Sequence, residues 1–301
     1  MPLFDAYVMT DWSAASSPTR PRAPNTIWSA WFDTSGLVIE NFTTRMAAMA
    51  WLTERFAAEI AQGRRVLAGF DFSFGYPAGA AAAITGAASW QALWSFLAEH
   101  VGDDEQNANN RFAVADALNR DVFAEEPKFW GRPPHRADLT SLPAKKSVIY
   151  GAIAEHRLAE GHFSRAQPVW KMFTTGSVGG QSMMGIKHLE ALRCAPGLKD
   201  IIRVWPFETS FDQDLPGAPS VVVCELYPSA FPVDARDGEV IDQAQVRSVV
   251  EYLVSADLAG ELRPLLAAPP GSSPAGQALM LAEEGSIMGA GRLWGTRHAR
   301  A

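Results

Sequence analysis

A chain of 301 residues that is 48% hydrophobic and 10% aromatic can bury one large core, and it reads as a single domain over residues 1–301 with one elaborate insertion at about 75–165. Its net charge of −7 excludes a protein that coats nucleic acid by charge alone, because that mode of binding needs many Lys and Arg on phosphates. No stretch approaches the roughly 18 uninterrupted apolar residues of a membrane span, the opening MPLFDAYVMTD carries no basic leader, and Cys194 and Cys224 lack CxxC spacing, so a cytoplasmic chain without a membrane partner is expected.

The first strand is Phe4 to Asp11 (FDAYVMTD). Ile27 to Phe32 and Gly36 to Phe42 follow as two more, joined by the turn-like Asp33-Thr34-Ser35-Gly36, which makes an antiparallel meander. Met46, Met49, Leu52, Phe56 and Ile60 recur at three- and four-residue steps and predict a helix over Arg45 to Ala61. A fourth strand, Val66 to Asp71 (VLAGFD), completes a β-β-β-α-β order. The right-handed crossover rule sets that strand beside the first and brings Asp11 to Asp71. From Gly75 to about Arg165 the pattern loosens into short helices, Trp90 to His100 and Asn107 to Val122, and a Pro-rich loop or lid, Glu126 to Pro143. Regularity resumes with a glycine-bearing turn, a helix from about Gln181 to Arg193, a strand Ile201 to Phe207 and a strand Val221 to Glu225 (VVVCE). Helices over Ala244 to Leu253, Ala256 to Leu266 and Ser273 to Glu284 follow.

Three apolar strands thus end on carboxylates, Asp11, Asp71 and Glu225, at the edge where mostly parallel sheets bind ligands. Carboxylates gathered there would repel one another by roughly 4 kcal/mol per pair at 4 Å and an effective dielectric near 20. A divalent cation relieves this, and an all-oxygen ligand set favours Mg²⁺ or Mn²⁺.

These residues resemble a family of uncharacterised bacterial and archaeal proteins described as predicted RNase H-like nucleases. The resemblance lies in Asp11, in Asp71-Phe72-Ser73-Phe74-Gly75-Tyr76-Pro77, in Glu225-Leu226-Tyr227-Pro228, in Glu284-Gly285-Ser286-Ile287 and in the stretch Val169 to Gly185, with Ser286 where an aromatic is expected. It implies an α/β fold with an RNase H-like mixed sheet, the antiparallel meander plus parallel strands, flanked by helices. It also implies a divalent-metal-dependent phosphodiester or phosphoryl hydrolase acting on a phosphate-containing substrate such as a nucleic acid or nucleotide. In that reading Asp11 bridges two ions, Asp71 and Glu225 hold one each, and Glu284 completes the site, with Glu283, Glu208 and Asp257 competing for the last place.

Each acid also has a plain structural reading, since strand-end Asp and Glu often cap helices or face solvent. The hydroxyl-rich turn Asp11-Trp12-Ser13-Ala14-Ala15-Ser16 supports a second function, an actin-like or sugar-kinase-like nucleotide-binding phosphotransferase with the phosphate over Ser13 and Ser16. The run Thr174-Thr175-Gly176-Ser177-Val178-Gly179-Gly180-Gln181 enters a helix, so Ser177, Gly179 and Gly180 could present N–H groups to an anion, with Lys171 adding charge. Glycines serving a tight turn and close packing are the equal alternative. Lys128-Phe129-Trp130-Gly131-Arg132-Pro133-Pro134-His135-Arg136 suits stacked bases and phosphates, against a solvated loop pinned by a buried Trp. A third class is a non-catalytic nucleotide or nucleic-acid binding protein that keeps the acids for structure. The absence of H-E-x-x-H and of G-x-S-x-G argues against a zinc hydrolase and a nucleophile-elbow hydrolase.

Overall fold

The computed structural model describes residues 1–147, 150–211 and 215–293. Strands β1 (Ala6–Asp11), β2 (Ile27–Asp33) and β3 (Gly36–Phe42) form the antiparallel meander, α1 (Arg45–Ala61) crosses over, and β4 (Arg65–Phe70) lies parallel to β1. Then come α2 (Ala80–Thr85), α3 (Trp90–His100), α4 (Arg111–Asp121), α5 (Val178–Arg193), β5 (Ile202–Val204), β6 (Ser220–Glu225), α6 (Ile241–Leu258) and α7 (Pro274–Leu279). The six strands make one mixed sheet in the order β3-β2-β1-β4-β6-β5, with β1, β4, β6 and β5 mutually parallel.

Successive strand residues point to opposite faces, and here each face meets its own core. Ala6 and Val8 of β1, Val66, Ala68 and Phe70 of β4, and Val221 and Val223 of β6 pack with Leu52 and Phe56 of α1. Tyr7, Met9, Leu67, Val222 and Cys224 pack with Val246, Val249, Val250 and Leu253 of α6. Burial on both faces is why the central strands read as unbroken apolar runs rather than alternating ones. The stretch expected as an insertion joins the first of these cores through Trp90, Trp94, Phe112, Phe129 and Leu139.

Helix α6 has a direction that matters for the site. Near its C-terminus, Asp257 accepts the N–H groups of Leu3 and Phe4 and the Tyr7 hydroxyl, all at the start of β1. The helix therefore runs antiparallel to β1, and its first turn, with Asp242, lies toward the far end of that strand.

Some elements differ from the sequence expectations. The helices expected over 244–253 and 256–266 are one helix, α6, followed by a tight turn at Arg263–Leu266. The strand expected over 201–207 is only β5, because Pro206 has no N–H to extend a ladder. The helix expected from Asn107 begins at Arg111, and the one expected from Gln181 begins at Val178. Among the described residues no helix is long and apolar enough to cross a membrane.

Candidate functional site

The ladder between β1 and β4 pairs Thr10 with Phe70, so one step further Asp11 meets Asp71. Both acids share the parity of Met9 and Leu67 and so lie on the α6 side, at the C-terminal edge of adjacent parallel strands. Their half-buried carboxyl groups are within hydrogen-bonding reach of each other. Burial, then the charge and hydrogen bond of Asp71, and last the charge of Asp242, hold Asp11 well above the usual carboxylate range. Burial also pushes Asp71 up to about 6, although it accepts from Asp11 and from the Trp12 N–H at 2.7 Å. This environment favours a proton held between the two carboxyls, on the Asp11 side.

A third acid, Asp242, comes from the first turn of α6, and sequence reasoning missed it. It is half-buried, burial raises its pKa, and its charge disfavours ionisation of both strand acids. An acid at this place in a helix is ordinary, because it faces the positive end of the helix dipole. Only the antiparallel packing of α6 on β1 gives it a role. Among the described residues, no three His, Cys, Asp or Glu side chains are set to enclose a metal ion, so Asp242 acts on the pair through its field.

Glu225 does not join them, and strand parity is the reason. It pairs in register with Phe70, one residue short of Asp71, so the place beside the two aspartates falls to Leu226. The Glu225 side chain sits on the opposite face, where Arg157 grips it with Nη1 at 2.8 Å and Nη2 at 2.5 Å and the Phe74 N–H adds a third bond at 3.0 Å. Burial pushes its pKa up against the pull of Arg157. Arg157 also binds Glu160, Ser73 and the carbonyl of Glu284. This is a buried structural knot.

Glu284 is likewise committed, accepting the N–H groups of Ala78 at 2.8 Å and Leu158 at 2.7 Å. Its competitors are no freer: Glu283 accepts the Gly79 N–H, Glu208 the Val204 N–H, and Asp257 binds the start of β1. Of the four carboxylates expected together, the structure brings Asp11 and Asp71 side by side, with Asp242 nearby, and holds Glu225 and Glu284 elsewhere.

The expected phosphate-binding residues are mostly spent on structure. Ser13 donates to the Asn25 carbonyl and accepts the Ala15 N–H. Lys171 reaches Gln167 and the Thr175 carbonyl. The Gly179 N–H is taken by the Lys171 carbonyl, and a Cβ there would come 2.2 Å from the Val169 carbonyl, so this glycine permits close packing. Arg132 donates to the Leu139 carbonyl, Lys128 is buried against Glu126, and Phe129 is core, so the basic stretch is a packed loop. Ser177 makes no side-chain cap, while Ser16 and Gly180 both meet Arg111, a residue the sequence pattern did not single out.

No family model matches the chain, and no curated protein or solved structure matches it either.

Proposed function

We propose that the protein is a divalent-metal-dependent hydrolase of phosphodiesters or other phosphoryl groups, built on an RNase H-like sheet. The observation that carries the reading is the proton-sharing pair Asp11–Asp71 at the ends of adjacent parallel strands, under the added negative charge of Asp242. The strand order β3-β2-β1-β4-β6, a meander followed by parallel strands, supports the same reading.

The donor chemistry fits Mg²⁺ or Mn²⁺. Those ions bind through one or two carboxylates, with waters and substrate oxygens filling the remaining positions. Asp11 and Asp71 would hold the ion, which when bound supplies Lewis acidity to a phosphoryl oxygen and a more acidic water. The chain's own contribution is positional and electrostatic. The Trp12 N–H fixes the Asp71 carboxyl, and the proton on Asp11 must leave before that oxygen can ligate, so metal binding rises with pH and releases a proton. The phosphotransferase reading is weakened because Ser13 and the Gly179 N–H are already occupied.

The test is calorimetry with Mn²⁺ at about pH 8, where the pair is free to lose its proton. Wild type should bind and release protons, and Asp11→Asn should lose the binding while keeping its circular dichroism. Equal binding by Asp11→Asn, or none by wild type, would leave the non-catalytic reading in place. Hydrolysis is then assayed across single- and double-stranded nucleic acids, nucleotides and simple phosphoesters.

A further inference from the structure

The described residues include four buried arginines, Arg45, Arg111, Arg157 and Arg247. Three are neutralised: Arg45 by Asp103, Arg157 by Glu225 and Glu160, and Arg247 by Glu239 and Glu251. Arg111, only 7% exposed, has no carboxylate partner among the described residues. Its Nη1 donates to two neutral acceptors, Ser16 Oγ at 2.9 Å and Asn109 Oδ1 at 2.6 Å, and its buried Nε donates to nothing. Asp103, whose charge reaches it, is already held by Arg45 and His188. Burial and then the charge of Arg45 pull its pKa down to about 10. Its guanidinium carbon lies 4.1 Å from the centre of the Phe112 ring, a cation–π contact, but a buried cation is ordinarily paired with an anion as well.

The position of this guanidinium supplies the second half of the argument. A Cβ built on Gly180 would lie 3.1 Å from Arg111 Nε, so the charge rests against the first turn of α5. That turn has no side-chain cap from Ser177 and no acidic residue, so the positive end of a 16-residue helix meets no counter-charge there, although its Val178 and Gly179 N–H groups are taken by the carbonyls of Gly176 and Lys171. Ser16 is exposed, and because its oxygen accepts from Arg111 its hydroxyl proton remains available to an incoming oxygen. Gln181, also in that turn, donates to the Trp12 carbonyl at 2.6 Å, and the N–H of the same Trp12 serves Asp71. Gln181 and Asp71 therefore hold one residue at the sheet's edge between them, and Arg111 rests against the glycine just before Gln181.

We propose that Ser16, Arg111 and the first turn of α5 form a binding site for a phosphate group. The guanidinium and hydroxyl suit a tetrahedral oxyanion, which would reach them from the exposed side of Ser16. That this phosphate belongs to the substrate rests on the hydrolase reading; the anion site itself does not.

The experiment titrates inorganic phosphate into metal-stripped protein, followed by ³¹P line broadening and by the melting temperature. Wild type should bind saturably, and Arg111→Gln should bind about tenfold more weakly or worse, since it removes a charge-assisted bond. Ser16→Ala should weaken binding less, and Asp11→Asn should leave it intact. If Arg111→Gln does not fold, Gly180→Ala, whose methyl group would press on Arg111 Nε and displace the guanidinium, should show the weakening. Absence of saturable binding by wild type overturns the proposal, as does wild-type affinity in folded Arg111→Gln or in both Ser16→Ala and Gly180→Ala. Phosphate binding without Mn²⁺ binding would remove the hydrolase reading and leave the anion site standing.

Discussion

Asp71 and its partner Asp11 make the folded state resist losing protons, and this gives stability a defined dependence on pH. Both have folded pKa values above the ordinary aspartate value of 3.8. Below that value both states are protonated and the pair costs nothing. As pH rises through about 4 and past about 6, the unfolded chain ionises more readily than the folded one, so stability falls. Asp71→Asn removes part of that penalty, keeps an oxygen for the Trp12 N–H, and should exceed wild type in stability by about 1–2 kcal/mol at about pH 8. Near pH 4 the two should melt together, and a gap that does not widen with pH would contradict the shared proton. In the Arg157 knot the buried carboxylates have a cation beside them. Arg157→Met leaves the Glu225 and Glu160 carboxylates buried without their cation and should cost about 3–5 kcal/mol in denaturant unfolding.

Strand parity decides which acids meet, and it explains what was legible in the chain. Asp11 and Asp71 could be placed together because a single crossover fixes β1 and β4 as parallel neighbours. Glu225 looked equivalent because it also ends an apolar run, but register slides by one residue invisibly in a strand buried on both faces, where no polar alternation marks the sides. Asp242 was hidden for a different reason, since its approach depends on how α6 lies across β1. Arg157 and Arg111 act through long-range pairings from irregular or loosely patterned stretches. Packing of α5 gives a prediction at this level. A Cβ on Gly185 would lie 2.2 Å from the Phe72 ring, in a core with no slack, so Gly185→Ala should destabilise by about 1–3 kcal/mol. A melting temperature equal to wild type would show that α5 can retreat from the sheet.

The molecule as a whole has two cores divided by one sheet, and segments remote in the chain contribute to both. Because the stretch from 75 to 165 shares its core with the strands, calorimetry should show one unfolding transition, with no separate melting of that stretch. Two resolved transitions would mean that it folds as a unit of its own. The loop that follows Asp71 is held from far away. Glu284 and Glu283 bind the N–H groups of Ala78 and Gly79, the first across 206 positions, and Gly75 lies so close to the backbone of both that a methyl group would not fit. On a ribosome, the strand acids are therefore synthesised long before the segment that secures their neighbouring loop. A half-made chain thus carries both aspartates before the glutamates that hold the loop beside them exist.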